Sequence, residues 1–259
     1  METWDERALL LLGDEKLEKL RNAHVLVVGL GGVGGFAAES ICRAGVGEMT
    51  IVDGDEVSRS NRNRQLVALK TTEGHLKTEV MKERLLAINP ELKLNVRSDF
   101  MEGQELEDLL VSAPFDMVVD CIDTLTPKVF MILAALRHNL KIVSSMGAGG
   151  KFDPMKVQAG DLSDSYNCKL ARYVRKRLQK FGVRSGFPVI FSPEDIDRSR
   201  VKEEEGRNKM SVIGTISYMP PLFGAYCASV VVRQLTGMQD FYKPKKKKTN
   251  KKAGKKTKN

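Results

Sequence analysis

A glycine-rich turn between a buried strand and a helix constrains this sequence more than any other feature. The run Gly29-Leu30-Gly31-Gly32-Val33-Gly34 directly follows the apolar segment His24–Val28 and opens a helical pattern. In such a strand–turn–helix unit, Gly29 allows the tight turn and Gly31 lets backbone N–H groups approach a phosphate, while Gly34 allows close helix–strand packing. The helix N-terminus adds the positive end of its dipole. The run therefore predicts a nucleotide-binding turn, and the alternative is a packing turn without a ligand.

Short β-branched apolar runs alternate with helical patterns through the first 150 residues. This order predicts a doubly wound α/β fold, Rossmann-like, with a mostly parallel sheet. We expect strands at His24–Val28, Met49–Val52, Leu92–Arg97, Met117–Asp120 and Lys141–Ser145, and helices at Val33–Ala44, Lys77–Ile88, Gln104–Val111 and Thr126–Arg137. Beyond the Gly147–Gly150 run we expect a strand at Val157–Ala159, an amphipathic helix at Lys169–Phe181, a polar stretch to Met210 and a closing helix within Tyr218–Leu235.

The net charge of +9 is concentrated at the C-terminus. Residues 243–259 contain ten lysines and no acid, which leaves 32 basic and 33 acidic side chains in residues 1–242. We therefore expect three parts: a nucleotide-binding adenylation domain over 1–150, an α+β extension over 151–242 packing on the substrate side of the same sheet, and a disordered lysine-rich tail over 243–259. The tail is either a solubilising appendage or a nonspecific RNA tether, because lysine–phosphate attraction needs no fold.

The sequence offers neither a membrane anchor nor a local metal or redox motif. The apolar run Leu222–Val232 is too short to cross a bilayer, and the first residues lack a signal-peptide pattern, so we expect a cytoplasmic protein with no membrane partner. Four cysteines lie at least 47 positions apart without a CxxC pair, and we expect them to be reduced and mostly buried. They are Cys42, Cys121, Cys168 and Cys227.

Charged and amide side chains crowd the region after the second predicted strand. Asp53, at the end of that strand and 19 residues after Gly34, is placed to accept the hydroxyls of a ribose. The residues that follow would be superfluous in a hydride-transfer enzyme but suit a triphosphate; they are Asp55, Asn61, Arg64, Gln65 and Lys77. Arg64 and Lys77 can neutralise the β- and γ-phosphates. Asp123, just past the fourth strand, can hold the accompanying Mg²⁺.

These motifs together resemble the E1-like (ThiF/MoeB/HesA) adenylating superfamily. The resemblance runs from Arg7 to about Ile142 and rests on the glycine turn, the Asn61–Gln65 element and the residues Asp53, Lys77 and Asp123. It implies that these residues form an ATP site. It also implies a homodimer, because an arginine six residues before a glycine reaches the neighbouring subunit's ATP in dimeric members, and Arg7 and Gly13 keep that spacing.

Within the superfamily, the chain is most similar to the tRNA threonylcarbamoyladenosine dehydratases. The supporting strings include Ile88-Asn-Pro-Glu91, Asp120-Cys-Ile-Asp123 with Pro127-Lys128, and Gly147-Ala-Gly-Gly150. The resemblance implies ATP-dependent activation of the threonylcarbamoyl carboxylate on a tRNA adenosine, followed by cyclisation with loss of AMP. Arg64, Lys77, Asp123 and Arg7 would then be catalytic, with Mg²⁺ at Asp123. A monovalent cation at Gly147–Gly150 and a sulfur-transfer or sulfur-acceptor protein partner stay open.

Three other functions remain open on the sequence alone. An adenylyltransferase for a ubiquitin-like or sulfur-carrier C-terminus would exchange pyrophosphate with ATP only when its carrier protein is present. A non-enzymatic scaffold would bind ATP but release no pyrophosphate, and a dehydrogenase would bind NAD. Cys168 is the only thiol where a transfer cysteine would lie, but intramolecular capture of an acyl-adenylate needs none. The basic helix over 169–180 and the tail are our RNA-contact hypotheses.

Overall fold

The computed structural model describes residues 3–197, 201–203 and 211–238 of the 259-residue chain. Seven strands form one sheet: β1 His24–Val28, β2 Glu48–Val52, β3 Lys93–Arg97, β4 Met117–Asp120, β5 Ile142–Ser145, β6 Gln158–Asp161 and β7 Pro188–Phe191. Their order is β3-β2-β1-β4-β5-β7-β6, and every neighbouring pair is parallel except β6–β7. A separate antiparallel pair joins β8 Val201–Glu203 to β9 Ser211–Ile213.

The central strands are buried on both sides, because helices cover both faces of the sheet. The described residues form α1 Glu6–Leu12, α2 Asp14–Arg21, α3 Gly34–Arg43, α4 Lys77–Ile88, α5 Gln104–Val111, α6 Leu125–Arg137, α7 Lys169–Gln179 and α8 Met219–Thr236. In β1, Val25 and Val27 pack into the core that contains α3, α4 and α8. Leu26 and Val28 pack into the opposite core, which contains α5, α6 and α7.

The reversal of strand order around β1 determines where a ligand can bind. β1 pairs with β2 on one side and with β4 on the other. Crossover connections therefore leave β1 in opposite directions, and a crevice opens beyond the carboxyl ends of these strands. The glycine turn after β1 and the segments that follow β2 and β4 all meet at this edge.

The predicted fold class is confirmed, as are the five strands and four helices expected in the first 150 residues. Helix α7, helix α8 and a strand near 157–159 are also confirmed. The polar stretch expected before Met210 was wrong where it includes β7, whose four residues are all buried. Helices α1 and α2 were not predicted. The predicted disordered tail, 243–259, lies outside the described residues, as do 198–200 and 204–210.

Candidate functional site

Gly29 and Gly34 pack so closely on neighbouring backbone that neither position can hold a side chain. Gly29 has φ of +89°, and its N–H donates to the Val52 carbonyl at 2.8 Å. A Cβ on Gly29 would lie 2.9 Å from the Cys121 carbonyl oxygen, and a Cβ on Gly34 would lie 1.7 Å from the Gly29 carbonyl oxygen. The turn is therefore tied to β2 and pressed against the end of β4, as a nucleotide-binding turn requires.

Asp53 connects the glycine turn to the loop after β2. Its Oδ2 accepts the Leu30 N–H at 2.6 Å, and its Oδ1 accepts the Asp55 N–H at 2.8 Å. The side chain is only 8% exposed. This burial raises the pKa of Asp53, against the opposing effects of the Lys77 ammonium and the two N–H donors. Each carboxylate oxygen keeps a lone pair for a ligand hydroxyl, which fits the predicted ribose contact.

Lys77, the first residue of α4, is buried beside the same carboxylates. Its Nζ lies 2.5 Å from Asp55 Oδ2 and 3.8 Å from Asp53 Oδ1. Asp55 is about half exposed. A phosphate at this position would therefore compete with a half-exposed carboxylate for the ammonium group.

The Asn61–Gln65 element lies directly against the glycine turn. A Cβ on Gly32 would lie 3.3 Å from the Arg64 carbonyl oxygen, and a Cβ on Gly31 would lie 3.7 Å from Gln65 Nε2. The backbone carbonyl of Asn61 accepts the N–H groups of Arg64 and Gln65, and its side chain accepts the Ser58 N–H at 3.1 Å. Asn61 therefore holds the local turn, and Arg64 and Gln65 are the residues that face the glycines.

Gln65 shows that this site suits a ligand. Its Oε1 is buried and has no hydrogen-bond partner within the described residues. Buried polar atoms are nearly always paired, so an unpaired acceptor in the side chain that faces Gly31 indicates a ligand that brings a donor. A nucleotide fits, because its ribose hydroxyls are donors and its phosphates suit the backbone N–H groups of the turn.

Asp123 is exposed in the loop after β4 and makes no hydrogen bond or ion pair to other described residues. Nowhere in the described ranges do three or more His, Cys, Asp or Glu side chains gather as a metal site. One free carboxylate nevertheless fits Mg²⁺, which is commonly held by one or two carboxylates together with substrate phosphates and water. Asp123 would supply that single protein ligand.

A buried polar network beneath the Asp123 loop was missed by sequence reasoning. Lys128 Nζ donates to Asp120 Oδ2 at 2.7 Å, and Ser144 Oγ donates to the same oxygen at 2.6 Å. Asp120 Oδ1 accepts the Ile122 N–H at 3.1 Å. The network therefore fixes the backbone one residue before Asp123. Its sequence signal was a lysine inside an apolar helical pattern, eight positions after a strand-end aspartate.

A second missed contribution comes from the segment that enters α8. Asn63 Nδ2 donates to the Thr215 carbonyl at 3.0 Å. A Cβ on Gly32 would lie 3.0 Å from Pro220 Cβ. The start of α8 thus packs on the glycine turn, although it is almost 190 residues away in sequence, which is why local pattern could not reveal it.

The structure does not bring Arg7 to the other predicted site residues. Arg7 is exposed on α1, a helix that packs on α2. Within the part of the chain that the structure describes, it makes no hydrogen bond or ion pair. Cys168, weighed as a transfer nucleophile, is a buried free thiol in the core beneath α6 and α7.

The fold and this edge site define a nucleotide-binding α/β protein of the doubly wound class. Residues 5–258 match the model of the ThiF family, and the chain belongs to that family. It is 38% identical to the tRNA threonylcarbamoyladenosine dehydratase of Bacillus subtilis over 85% of this chain and 87% of that protein. It is also 33% identical to the sulfur carrier protein ThiS adenylyltransferase of Escherichia coli, over 55% of this chain and 58% of that protein.

A solved structure is similar over nearly the whole chain. The crystal structure of the Escherichia coli tRNA N6-threonylcarbamoyladenosine dehydratase TcdA in complex with ATP covers 90% of this chain and 93% of its own, with 32% identity and a TM-score of 0.81. The likeness supports the sheet topology over nearly the whole chain. No helix among the described residues is long and apolar enough to span a membrane.

Proposed function

We propose that this chain is an ATP-dependent dehydratase that cyclises the threonylcarbamoyl group of a tRNA adenosine next to the anticodon. The observation that carries the proposal is the packing of Arg64 and the Gln65 side-chain amide, whose buried Oε1 is unpaired, against the glycine turn, in a chain that matches dehydratases over 85–90% of its length. The sulfur-carrier adenylyltransferase matches over only 55%. The longer match to the dehydratases therefore favours the tRNA reaction over the carrier reaction.

In the proposed reaction, a carboxylate oxygen of the threonylcarbamoyl group attacks the α-phosphorus of ATP and pyrophosphate leaves. A nucleophile within the same group then attacks the activated carbonyl, AMP leaves, and the nucleoside has lost one water. Arg64 and Lys77 neutralise the developing phosphate charge, and Asp53 holds the ribose. Mg²⁺, when bound at Asp123, would supply further charge neutralisation on the phosphates. Intramolecular capture needs no enzyme thiol, consistent with a buried Cys168.

Two further contacts belong to the proposal. The first is a homodimer, in which the exposed Arg7 of one subunit reaches the partner's ATP. The second is phosphate binding by α7, whose exposed face carries Lys169, Arg172, Lys176 and Arg177 and no acid, with Lys180 directly after the helix. A cytoplasmic location follows from a tRNA substrate. A monovalent cation at Gly147–Gly150 and a sulfur-transfer partner rest on the resemblance alone.

One incubation tests the function. The protein is mixed with ATP, Mg²⁺ and tRNA carrying threonylcarbamoyladenosine, and the nucleosides are analysed by mass spectrometry for loss of one water. We expect loss of water with release of one pyrophosphate and one AMP per turnover. Arg64→Ala should lower the rate on the order of 10²–10³-fold. Arg62→Ala is the matched control, because Arg62 pairs instead with Glu73 at 3.2 Å.

Other outcomes would replace the proposal. Pyrophosphate exchange that requires a carrier protein and ignores tRNA would make the chain a carrier adenylyltransferase. ATP binding without pyrophosphate release, with modified tRNA present, would make it a scaffold. If Arg64→Ala and Arg62→Ala had the same dehydration rate, the phosphates would not be neutralised by Arg64.

A further inference from the structure

Two aromatic rings stand exposed side by side near the glycine turn. Phe152 is 60% exposed and Tyr218 is 41% exposed. Their centroids lie 6.0 Å apart with the ring planes at 70°, an edge-to-face arrangement. The Tyr218 hydroxyl donates to the Phe152 carbonyl at 2.8 Å. The pair is therefore held in one geometry while its faces remain open to solvent.

The pair lies next to the nucleotide site. Tyr218 immediately precedes α8, and Pro220, two residues later, packs on Gly32 so closely that a Cβ on Gly32 would lie 3.0 Å from Pro220 Cβ. Thr215, three residues earlier, accepts the Asn63 amide. The segment that carries the Tyr218 ring thus contacts the Asn61–Gln65 element on one side of the ring and the glycine turn on the other.

The other ring is tied to the start of the cationic helix. Lys151, the residue before Phe152, is buried, and its Nζ donates to the Asn167 carbonyl at 3.2 Å and to the Glu194 carbonyl. Asn167 lies two residues before α7, whose first exposed cations are Lys169 and Arg172. The aromatic pair is therefore linked through Tyr218 to the nucleotide site and through Lys151 to the start of a helix suited to RNA phosphates.

We infer that Phe152 and Tyr218 form a stacking platform for a base of the tRNA anticodon loop. Unpaired RNA bases bind by stacking on exposed aromatic rings, while nearby cations contact the phosphates. A base on this platform would be held close to the site where its neighbour or its own modified group reacts. The inference rests on the proposed function, since it takes the anticodon loop as the RNA that reaches this edge.

The test measures RNA binding separately from catalysis. A modified anticodon stem-loop with 2-aminopurine beside the target adenosine is titrated with full-length protein, and its fluorescence is recorded at several salt concentrations. Phe152→Leu and Tyr218→Leu should each weaken binding on the order of 5- to 100-fold. Phe152→Tyr and Tyr218→Phe should stay within about three-fold of wild type, since a ring remains to stack. The salt slope and ATP binding should not change, because every cation is retained.

Met155→Ala is the matched control, because Met155 is an exposed apolar residue of the same segment without a ring. Wild-type binding by the leucine variants, or an equal loss for Met155→Ala, would overturn the platform. So would a change of oligomeric state in the leucine variants by sedimentation, which would make the pair a contact between copies. Binding without dehydration by the wild-type protein would refute only the proposed function. Dehydration with normal binding by the leucine variants would refute only the platform.

Discussion

Lys128 provides the sharpest test of how the site is supported, because its ammonium group is completely buried. Lys128 and Asp120 are both 0% exposed, and their charged atoms lie 2.7 Å apart. Lys128→Met would leave the Asp120 carboxylate with two neutral donors, the Ser144 hydroxyl and the Ile122 N–H. Removing one partner of a buried ion pair costs about 3–5 kcal/mol of unfolding free energy. For a chain of this size that corresponds to roughly 6–20 °C in Tm.

Urea unfolding followed by circular dichroism, at fixed protein concentration and without ATP, measures this loss. The double variant Asp120→Asn/Lys128→Met should regain most of it, because no buried charge is then left unpaired. Lys19→Met, which removes an exposed ion pair with Glu15, should change the stability by less than about 1 kcal/mol. If Lys128→Met lowered the free energy of unfolding by less than about 1 kcal/mol, water would have to reach Asp120. The Asp123 loop would then not be held by a buried network.

Four more predictions address the subunit arrangement, the chemistry, the tail and acid stability. Arg7→Ala should lose activity and regain part of it in mixed dimers with an Arg64→Ala chain, and a verified heterodimer without recovery would argue against the trans site. Cys168→Ser should retain turnover, and complete loss in a folded variant would revive a thioester route. Truncation after Tyr242 should weaken tRNA binding mainly at low salt. The slope of the logarithm of the binding constant against the logarithm of the salt concentration should become less steep by about 0.7–0.9 for each phosphate that the tail no longer neutralises, and turnover at saturating tRNA should not change. Burial lowers the pKa of His24 below 6.5, so the unfolded chain binds the proton more readily and the stability falls as the pH drops below about 6.5. His24→Gln should therefore make Tm depend less on pH between about pH 7 and 5, and an unchanged slope of Tm against pH would contradict this.

The ATP-site motifs could be recognised in the sequence because each depends on local geometry. A glycine turn after a buried strand, an aspartate at the next strand end and a lysine at a helix start keep their meaning in almost any doubly wound sheet. The structure accordingly brings the glycine turn, Asp53, Lys77, Arg64 and Gln65 into one neighbourhood. Their roles toward ATP remain predictions.

Other features depended on partners far along the chain. Strand β7 is only four residues long and follows a polar stretch, so its place between β5 and β6 comes from sheet pairing that no local period encodes. The Asp120–Lys128 ion pair was not predicted, since its burial is decided by the packing of α6 and β5 around it. Sequence alone therefore determined the fold class and the local nucleotide-binding turn. Tertiary packing decided which distant segments complete the surface beside that turn, namely the start of α8 and the Phe152 loop. Such contacts join segments that are far apart in the sequence, so neighbouring residues do not determine them.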